Sequence, residues 1–350
     1  MIKLLVSKLQ KSSVHFIGNR NNDERLILTK NELEIEDIEL NSILLKFFTN
    51  QFNSKEELFR FTHSSDLELN EINNYVTDIF DNPNSFHFNT VKIAKFLFEK
   101  TVHPKIKSGE LYIGYLKDCI VEGEVVDAVC ISKCENKTTF LTVNQMGNEL
   151  NVSYNLSGVN IDKTDKACII FNTNSEKGYK ICMIDNTNKS VDTQYWKEGF
   201  LNIENISNSY HQTNSMIGFY KGFINDHLKN DETYSNPEKI ELLNRSVDYF
   251  KNQEKFQMKD FSDQVLRNNK LEESFSNYKK VFENNSNSII EDNFDISNLA
   301  FKKQVRKLKS VLKLDNNFDI YIHGNQEMIE KGVDMNTGRK FYKIYYEVEK

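Results

Sequence analysis

The stretch 166–185, "KACIIFNTNSEKGYKICMID", decides the fold class. Two short apolar runs, "KACIIFN" and "YKICMID", flank "NSEKG", a cluster of turn-forming residues ending in glycine. So short a link returns the chain beside itself, and the two runs pair antiparallel, because a parallel crossover needs about a dozen residues or more. Upstream, from Gly109, "ELYIGYL", "EVVDAVCISK" and "TTFLTV" show the same β-branched and aromatic bias between short polar turns. The reading for 109–185 is a mostly antiparallel sheet.

The pattern changes on both sides of this run. Near the N-terminus, "LVSKLQKSSVHFIG" and "ERLILTKNELEI" read as two strands joined by "GNRNND". Helices follow where Ile38, Ile43, Leu44, Phe47 and Phe48 recur, over 69–81 (Ile72, Val76, Ile79, Phe80), and over 89–102 (Val91, Ala94, Leu97, Phe98), the last stopped by Pro104. Beyond Asn205 the period is helical again: Tyr210, Met216, Ile217, Tyr220, Phe223, Ile224 and Leu228 share one face. A second helix begins near Pro237, and a third carries Leu271, Phe275, Tyr278 and Phe282 before the loop "ENNSNS". The expected architecture is α+β. It comprises a body over 1–206 with a mostly antiparallel sheet and helices, a helical region over 207–298, and a basic C-terminal helix-and-strand unit over 299–350.

With 39% hydrophobic and 27% charged residues in 350, the chain has material for more than one core. The start "MIKLLVSKLQKSSVHFIG" lacks the long apolar region of a signal peptide, and no run of about 18 apolar residues occurs, so a cytoplasmic protein with no membrane partner is expected. Cys119, Cys130, Cys134, Cys168 and Cys182 sit in strand-like stretches, and their odd number argues for reduced core thiols.

Common catalytic fingerprints are absent: no phosphate-binding glycine loop, no dinucleotide fingerprint, no H-E-x-x-H and no G-x-S-x-G. Cys130 and Cys134 lack a second Cys/His pair for zinc, so no metal and no cofactor is expected. The histidines are scattered, with His211 and His323 the two best placed for a site. A metal-dependent nuclease assembled from Glu110, Asp127 and Lys133 on neighbouring strands is the weaker enzymatic alternative.

The strongest local signal is "FKKQVRKLKSVLKL", residues 301–314, with six basic side chains and no acidic one in a chain of net charge -6. The last fifty residues hold 11 basic and 7 acidic side chains, whereas the preceding segments are all acidic in balance. As a helix, 301–313 would align Phe301, Val305, Leu308 and Leu312 for docking. Lys302, Arg306, Lys309 and Lys313, widened by Lys303 and Lys307, would then face solvent and phosphates. The strands "FDIYIHG" and "RKFYKIYYEV" follow, the second placing Phe341, Lys343 and Tyr345 on one face, with Arg339 and Lys340 at its start. The nucleic-acid-binding candidates are therefore Lys302, Lys303, Arg306, Lys307, Lys309, Lys313, Arg339, Lys340 and Lys343, with double-stranded DNA as the expected partner. The alternative is a protein-interaction adaptor whose basic end meets an acidic protein and whose link to DNA is indirect. The oligomeric state is left open.

Several stretches together resemble the bacterial nucleoid-associated protein family of the YejK or NdpA type. They are "KSGELYIGYL" (107–116), "KACIIFNTNSEKGYKICMID" (166–185), "YWKEGFLNI" (195–203), "SMIGFYKGFINDHL" (215–228) and the closing "FDIYIHGNQEMIEKGVDMNTGRKFYKIYYEV" (318–348). The resemblance implies a cytoplasmic, nucleoid-located protein that associates with DNA and has no established enzymatic step; protein partners on the nucleoid are compatible with it. It transfers no residue-level site.

The thiol reading has a direct check. Protein purified without chelators is expected to carry well under about one equivalent of zinc by elemental analysis, because the ligand set of a closed site is missing. Stoichiometric zinc on Cys130 and Cys134 would overturn it.

Overall fold

In chain order the N-terminal elements are β1 (Ile2–Lys3), β2 (Lys8–Ile17), β3 (Ile27–Leu28), helix α1 (Ile38–Thr49), β4 (Phe59–Phe61), α2 (Glu71–Asp81) and α3 (Phe86–Lys100). Then come β5 (Gly109–Val121), β6 (Glu124–Cys134), β7 (Thr138–Met146), β8 (Glu149–Gly158), β9 (Lys166–Phe171), β10 (Lys180–Asp185), a π-helical segment Tyr195–Leu201 and β11 (Ile203–Asn205). The computed structural model describes every residue except 1, 54, 188–194, 229–233, 235, 287–288, 306–310, 315–317, 322–327, 336 and 349–350. The chain divides into two compact units, Met1–Ile206 and Ser207–Lys350.

Among the described residues of the first unit, nine strands form one sheet in the order β11-β4-β10-β9-β6-β5-β2-β3, with β1 beside β5. Every pairing is antiparallel. The fold is α+β, as read from the sequence. The opening stretch supplies β9 and β10, with Ile181 opposite Ile170 and Asp185 opposite Lys166. Gly178 ends their link at φ 87°, where a Cβ would lie 2.4 Å from the Phe61 carbonyl oxygen, so only glycine lets the turn press on β4.

Both faces of the sheet are buried. Leu111, Ile113, Val129, Ile131, Cys168 and Ile170 face α2, α3 and the π-helical segment, against Ile72, Ile93, Trp196 and Phe200. Cys130, Ala167, Ile169 and Cys182 point the other way, toward Phe47 and Phe48 of α1. Gly114 makes room there, since a Cβ on it would stand 2.7 Å from the Phe48 ring. The helices start where cap residues place them: the Asp37 carboxylate accepts from Glu39 N and Leu40 N, and Asn70 Oδ1 accepts from Asn73 N. Asn70 also donates through Nδ2 to the carbonyls of Thr62, Leu201 and Asn202, tying α2 to the chain on either side of β4 and β11.

The second unit contains α4 (Ser209–Gly222), α5 (Asn236–Asn252), β12 (Lys255–Gln257), α6 (Asn269–Ser286), β13 (Asn293–Asp295) and α7 (Asn298–Val305), then strands β14 (Val311–Leu314), β15 (Phe318–Tyr321), β16 (Ile329–Val333) and β17 (Lys340–Ile344). Its core is aromatic: Phe219, Tyr220, Phe223, Phe250, Phe261 and Phe275 pack together, and Phe301 from α7 joins them. No helix among the described residues is long and apolar enough to cross a membrane.

One expectation is corrected here. The predicted helix over 301–313 does not run through: α7 is described to Val305, and Val311–Leu314 is a strand paired antiparallel with Phe318–Tyr321. Leu312 therefore lies opposite Ile320 in a hairpin and cannot share a helical stripe with Phe301 and Val305. The alternation of Val311-Leu312-Lys313-Leu314, followed by the turn-prone "DNN" and a second alternating run, outweighs the helical periodicity of the preceding residues.

Burial on β2 produces a titratable group in the core. His15 is 2% exposed. Its Nδ1 accepts from Thr29 N–H at 3.3 Å, and Nε2 lies 3.1 Å from Thr90 Oγ1, which itself donates to the His87 carbonyl. Nε2 must therefore be the protonated nitrogen of a neutral ring. Burial, then the neighbouring His87, lowers the His15 pKa from 6.5 to about 4. The unfolded chain binds this proton first as pH falls. The stabilisation is thus complete above pH 6.5, lost between 6.5 and 4, and level below. Relative to a His15→Gln variant, the wild type is expected to lose about 2 kcal/mol of unfolding free energy between about pH 7 and about pH 4.5 in urea titrations. Parallel curves would show that His15 is not held neutral.

Candidate functional site

The described basic candidates lie on α7 and the C-terminal strands. Lys302 is exposed and, among the described residues, makes no ion pair. Lys303 Nζ donates to the Tyr210 hydroxyl at 3.0 Å and stands 5.7 Å from that ring's centroid, so its ammonium is partly committed to α4. Arg306, Lys307 and Lys309 lie outside the described residues, as does His323. Lys313 occupies β14 opposite Asp319 in the strand register.

Arg339, Lys340 and Lys343 are all exposed at β17. Phe341 covers Gly332 across the strand pair, where a Cβ would be 2.4 Å from the ring. Lys343 lies opposite Glu330, with its Nζ 3.9 Å from that carboxylate and 4.8 Å from the Tyr345 ring centroid. The Tyr345 hydroxyl donates to the same Glu330 carboxylate at 2.7 Å. This aromatic and basic face thus includes one acidic group. Arg339 and Lys340 make no ion pair among the described residues, which leaves them open to an outside anion.

The weaker nuclease constellation is not assembled. Glu110 is opposite Cys134 in the register of β5 and β6, whereas Lys133 is opposite Leu111, so the two side chains leave opposite faces of the sheet. Asp127 shares the Lys133 face but sits six residues along β6, about 20 Å away. Each has a partner elsewhere: Glu110 pairs with Lys137, Asp127 with Lys117 and the Tyr115 hydroxyl, and Lys133 with Glu135. Cys130 and Cys134 both point into the core beneath α1, and burial pushes the Cys134 thiol up to about 12, which disfavours the thiolate a metal needs. Among the described residues no group of three or more His, Cys, Asp or Glu could hold a metal ion.

The sequence reading missed a polar cluster at the end of the central sheet. Lys133 on β6 is directly opposite Lys166 on β9, and both side chains are fully buried. Two like charges on adjacent strands repel unless each is neutralised locally. Lys133 Nζ donates to the Lys107 carbonyl at 2.6 Å, to Glu135 Oε1 at 2.9 Å and to the Tyr195 hydroxyl at 3.2 Å. Lys166 Nζ donates to both Asp185 oxygens, at 3.1 and 3.2 Å, and to the Thr187 hydroxyl. The Tyr195 ring centroid lies 5.6 Å from each nitrogen. Burial lowers the Lys133 pKa, and Glu135 works in the opposite direction.

Beside the cluster a cleft of about 280 Å³ is lined by Lys105, Lys107, Asn136, Lys163, Asp165 and Asn186, among others. Asp165 accepts from the backbone N–H groups of Glu135 and Asn136, which fixes the turn leading out of β6. Three donors' worth of acceptors on each ammonium leave neither lysine a free lone pair for base chemistry nor a vacant donor for substrate. The arrangement holds strand ends together. No local pattern announces it, because 33 residues separate the two lysines in sequence.

Residues 13–337 match the family described as nucleoid-associated protein YejK. No curated protein matches the chain. With the family pattern running from β2 to the turn between β16 and β17, the chain belongs to the nucleoid-associated protein YejK family.

Proposed function

We propose that this nucleoid-associated protein binds double-stranded DNA directly, by phosphate contacts from its C-terminal end, and carries out no chemistry on it. The observation that carries the reading is the segregation of charge. Residues 301–350 hold 11 basic and 7 acidic side chains in a chain of net charge -6, and Lys302, Arg339 and Lys340 are exposed without an ion pair among the described residues. A solvated basic face ordinarily spends its cations on neighbouring carboxylates; these remain available. Arg306, Lys307, Lys309 and Lys313 add to the same stretch by sequence, and Lys343 contributes next to Glu330.

Each phosphate contact releases condensed counterions, so six simultaneous contacts give a slope of log affinity against log salt of about -5. Replacing Lys302, Arg306, Lys309 and Lys313 with glutamine removes four cations while sparing Phe301, which anchors α7 in the aromatic core. The variant is expected to keep its unfolding transition, to bind all duplex sequences more weakly alike, and to show a slope flatter by about 3 to 4. A folded variant with unchanged affinity and slope would transfer the basic end to an acidic protein partner. Supercoiled plasmid incubated with the protein and millimolar magnesium or manganese is expected to stay intact. Nicking that follows protein concentration would sink the non-enzymatic reading.

A further inference from the structure

The link between β6 and β9, adjacent strands of the central sheet, carries the ribbon β7–β8, which belongs to no other sheet. Met146 pairs with Glu149 around Gly147-Asn148, and Gly147 at φ 65° gives the tight two-residue hairpin turn. Directly opposed residues share a face: Leu141 with Tyr154, Val143 with Val152, Gln145 with Leu150. Leu156 continues that face at the base of the ribbon. The reverse face is polar at its middle, where Thr142 opposes Ser153 and Asn144 opposes Asn151, and carries single apolar side chains only at its ends, Phe140 opposite Asn155 and Met146 opposite Glu149. The ribbon is therefore amphipathic in the way of a strand pair that covers a core, but it covers none. Leu141, Val143, Leu150, Val152, Tyr154 and Leu156 are 58–72% exposed, and every residue from Thr138 to Ser157 is exposed.

A two-stranded ribbon in water is marginal on its own and becomes stable when its apolar face packs on a further layer. We propose that this layer is the same ribbon of a second copy, the two apolar faces meeting about a two-fold axis. The area fits: six side chains two-thirds exposed present about 600–700 Å², and with their rim they reach the roughly 800 Å² per partner of a stable interface. The chemistry fits as well. Glu149 is the single charged residue in 138–158, so the ribbon offers no cation to nucleic acid and no charge pattern that would select a different protein. An uncharged face centred on a Val143–Val152 pair is complementary to itself, as two-fold contacts require. The interface is independent of the basic C-terminal end and does not rest on direct DNA binding.

Sedimentation equilibrium of the full chain is expected to give twice the 41.0 kDa chain mass. Val152→Glu, which alters only a solvent-facing position of the single chain, is expected to weaken the dimer by at least about thirty-fold, a central hot-spot effect. Because a carboxylate there also loosens the ribbon, a second test reads the face itself. All five native cysteines are buried, so an added thiol is the reactive one. Oxidised under native conditions, Val152→Cys is expected to form a covalent dimer and Ser153→Cys, on the reverse face, is not. A wild type of single-chain mass overturns the proposal, whether or not the ribbon then binds phosphatidylcholine vesicles. So does a dimer indifferent to Val152→Glu, or equal cross-linking from both positions.

Discussion

A sheet buried on both faces is the constraint from which the rest of this protein follows. An antiparallel sheet with one solvated side tolerates charge at every second position, whereas here β6 and β9 are covered by α1 on one side and by α2, α3 and the π-helical segment on the other. Any side chain that stays charged within that sandwich must find its counter-charge there, whereas His15 is held neutral instead. Lys133 and Lys166 do so at the edge of the covered region, where Glu135, Asp185 and the Tyr195 hydroxyl converge. Removing one carboxylate would leave a buried ammonium without its partner, which costs more than the pair contributes when intact. The cluster thus ties the π-helical segment and the cleft-lining turns to the strand register, and its chemistry is used up in doing so.

The same constraint explains what was legible in the sequence. The strands of 109–185 announce themselves because doubly buried strands read as near-continuous apolar runs, and the helices because Ile72, Val76 and Ile79 sit on one side of a 3.6-residue period. The three-residue strands β4 and β11 carry no such signal: Phe59 becomes a strand residue because Ile181 and Asn205 lie on either side of it. The strand β8 is a different case. Leu150, Val152, Tyr154 and Leu156 alternate strictly after Gly147-Asn148, and the intervening Asn and Ser make the run look like a loop. Residues 301–314 show the converse error, since one apolar set satisfies a helical spacing and, from Val311 on, a strand alternation.

The candidate site was legible as composition more than as geometry. Counting charge finds the basic end, because segregation of 11 basic against 7 acidic side chains survives any folding of those fifty residues. Which cations remain available is a matter of neighbours that only the fold supplies. Tyr210, 93 residues away, engages Lys303, and Glu330 stands across the strand pair from Lys343. The buried lysine pair illustrates the limit from the other side, because register alone makes Lys133 and Lys166 neighbours.

An exposed ribbon with two open edges is ordinarily an aggregation hazard, and its one-sidedness bears on how far association proceeds. If both faces were apolar, each added copy would present a fresh sticky surface and growth would be open-ended. With Thr142, Asn144, Asn151 and Ser153 at the middle of the reverse face, packing two ribbons face to face consumes the larger apolar surface of both and leaves outward a polar centre, with Phe140 and Met146 as separate apolar side chains at its two ends. Closed two-fold symmetry is the outcome that such a pattern selects. A closed pair would hold two basic ends in one particle, and on the reading that this end binds a polyanion, a second contact would form at the effective concentration set by the first. For a chain of acidic balance overall, whose last fifty residues hold more basic than acidic side chains, doubling that segment would raise the strength of attachment to a polyanion without adding cations elsewhere.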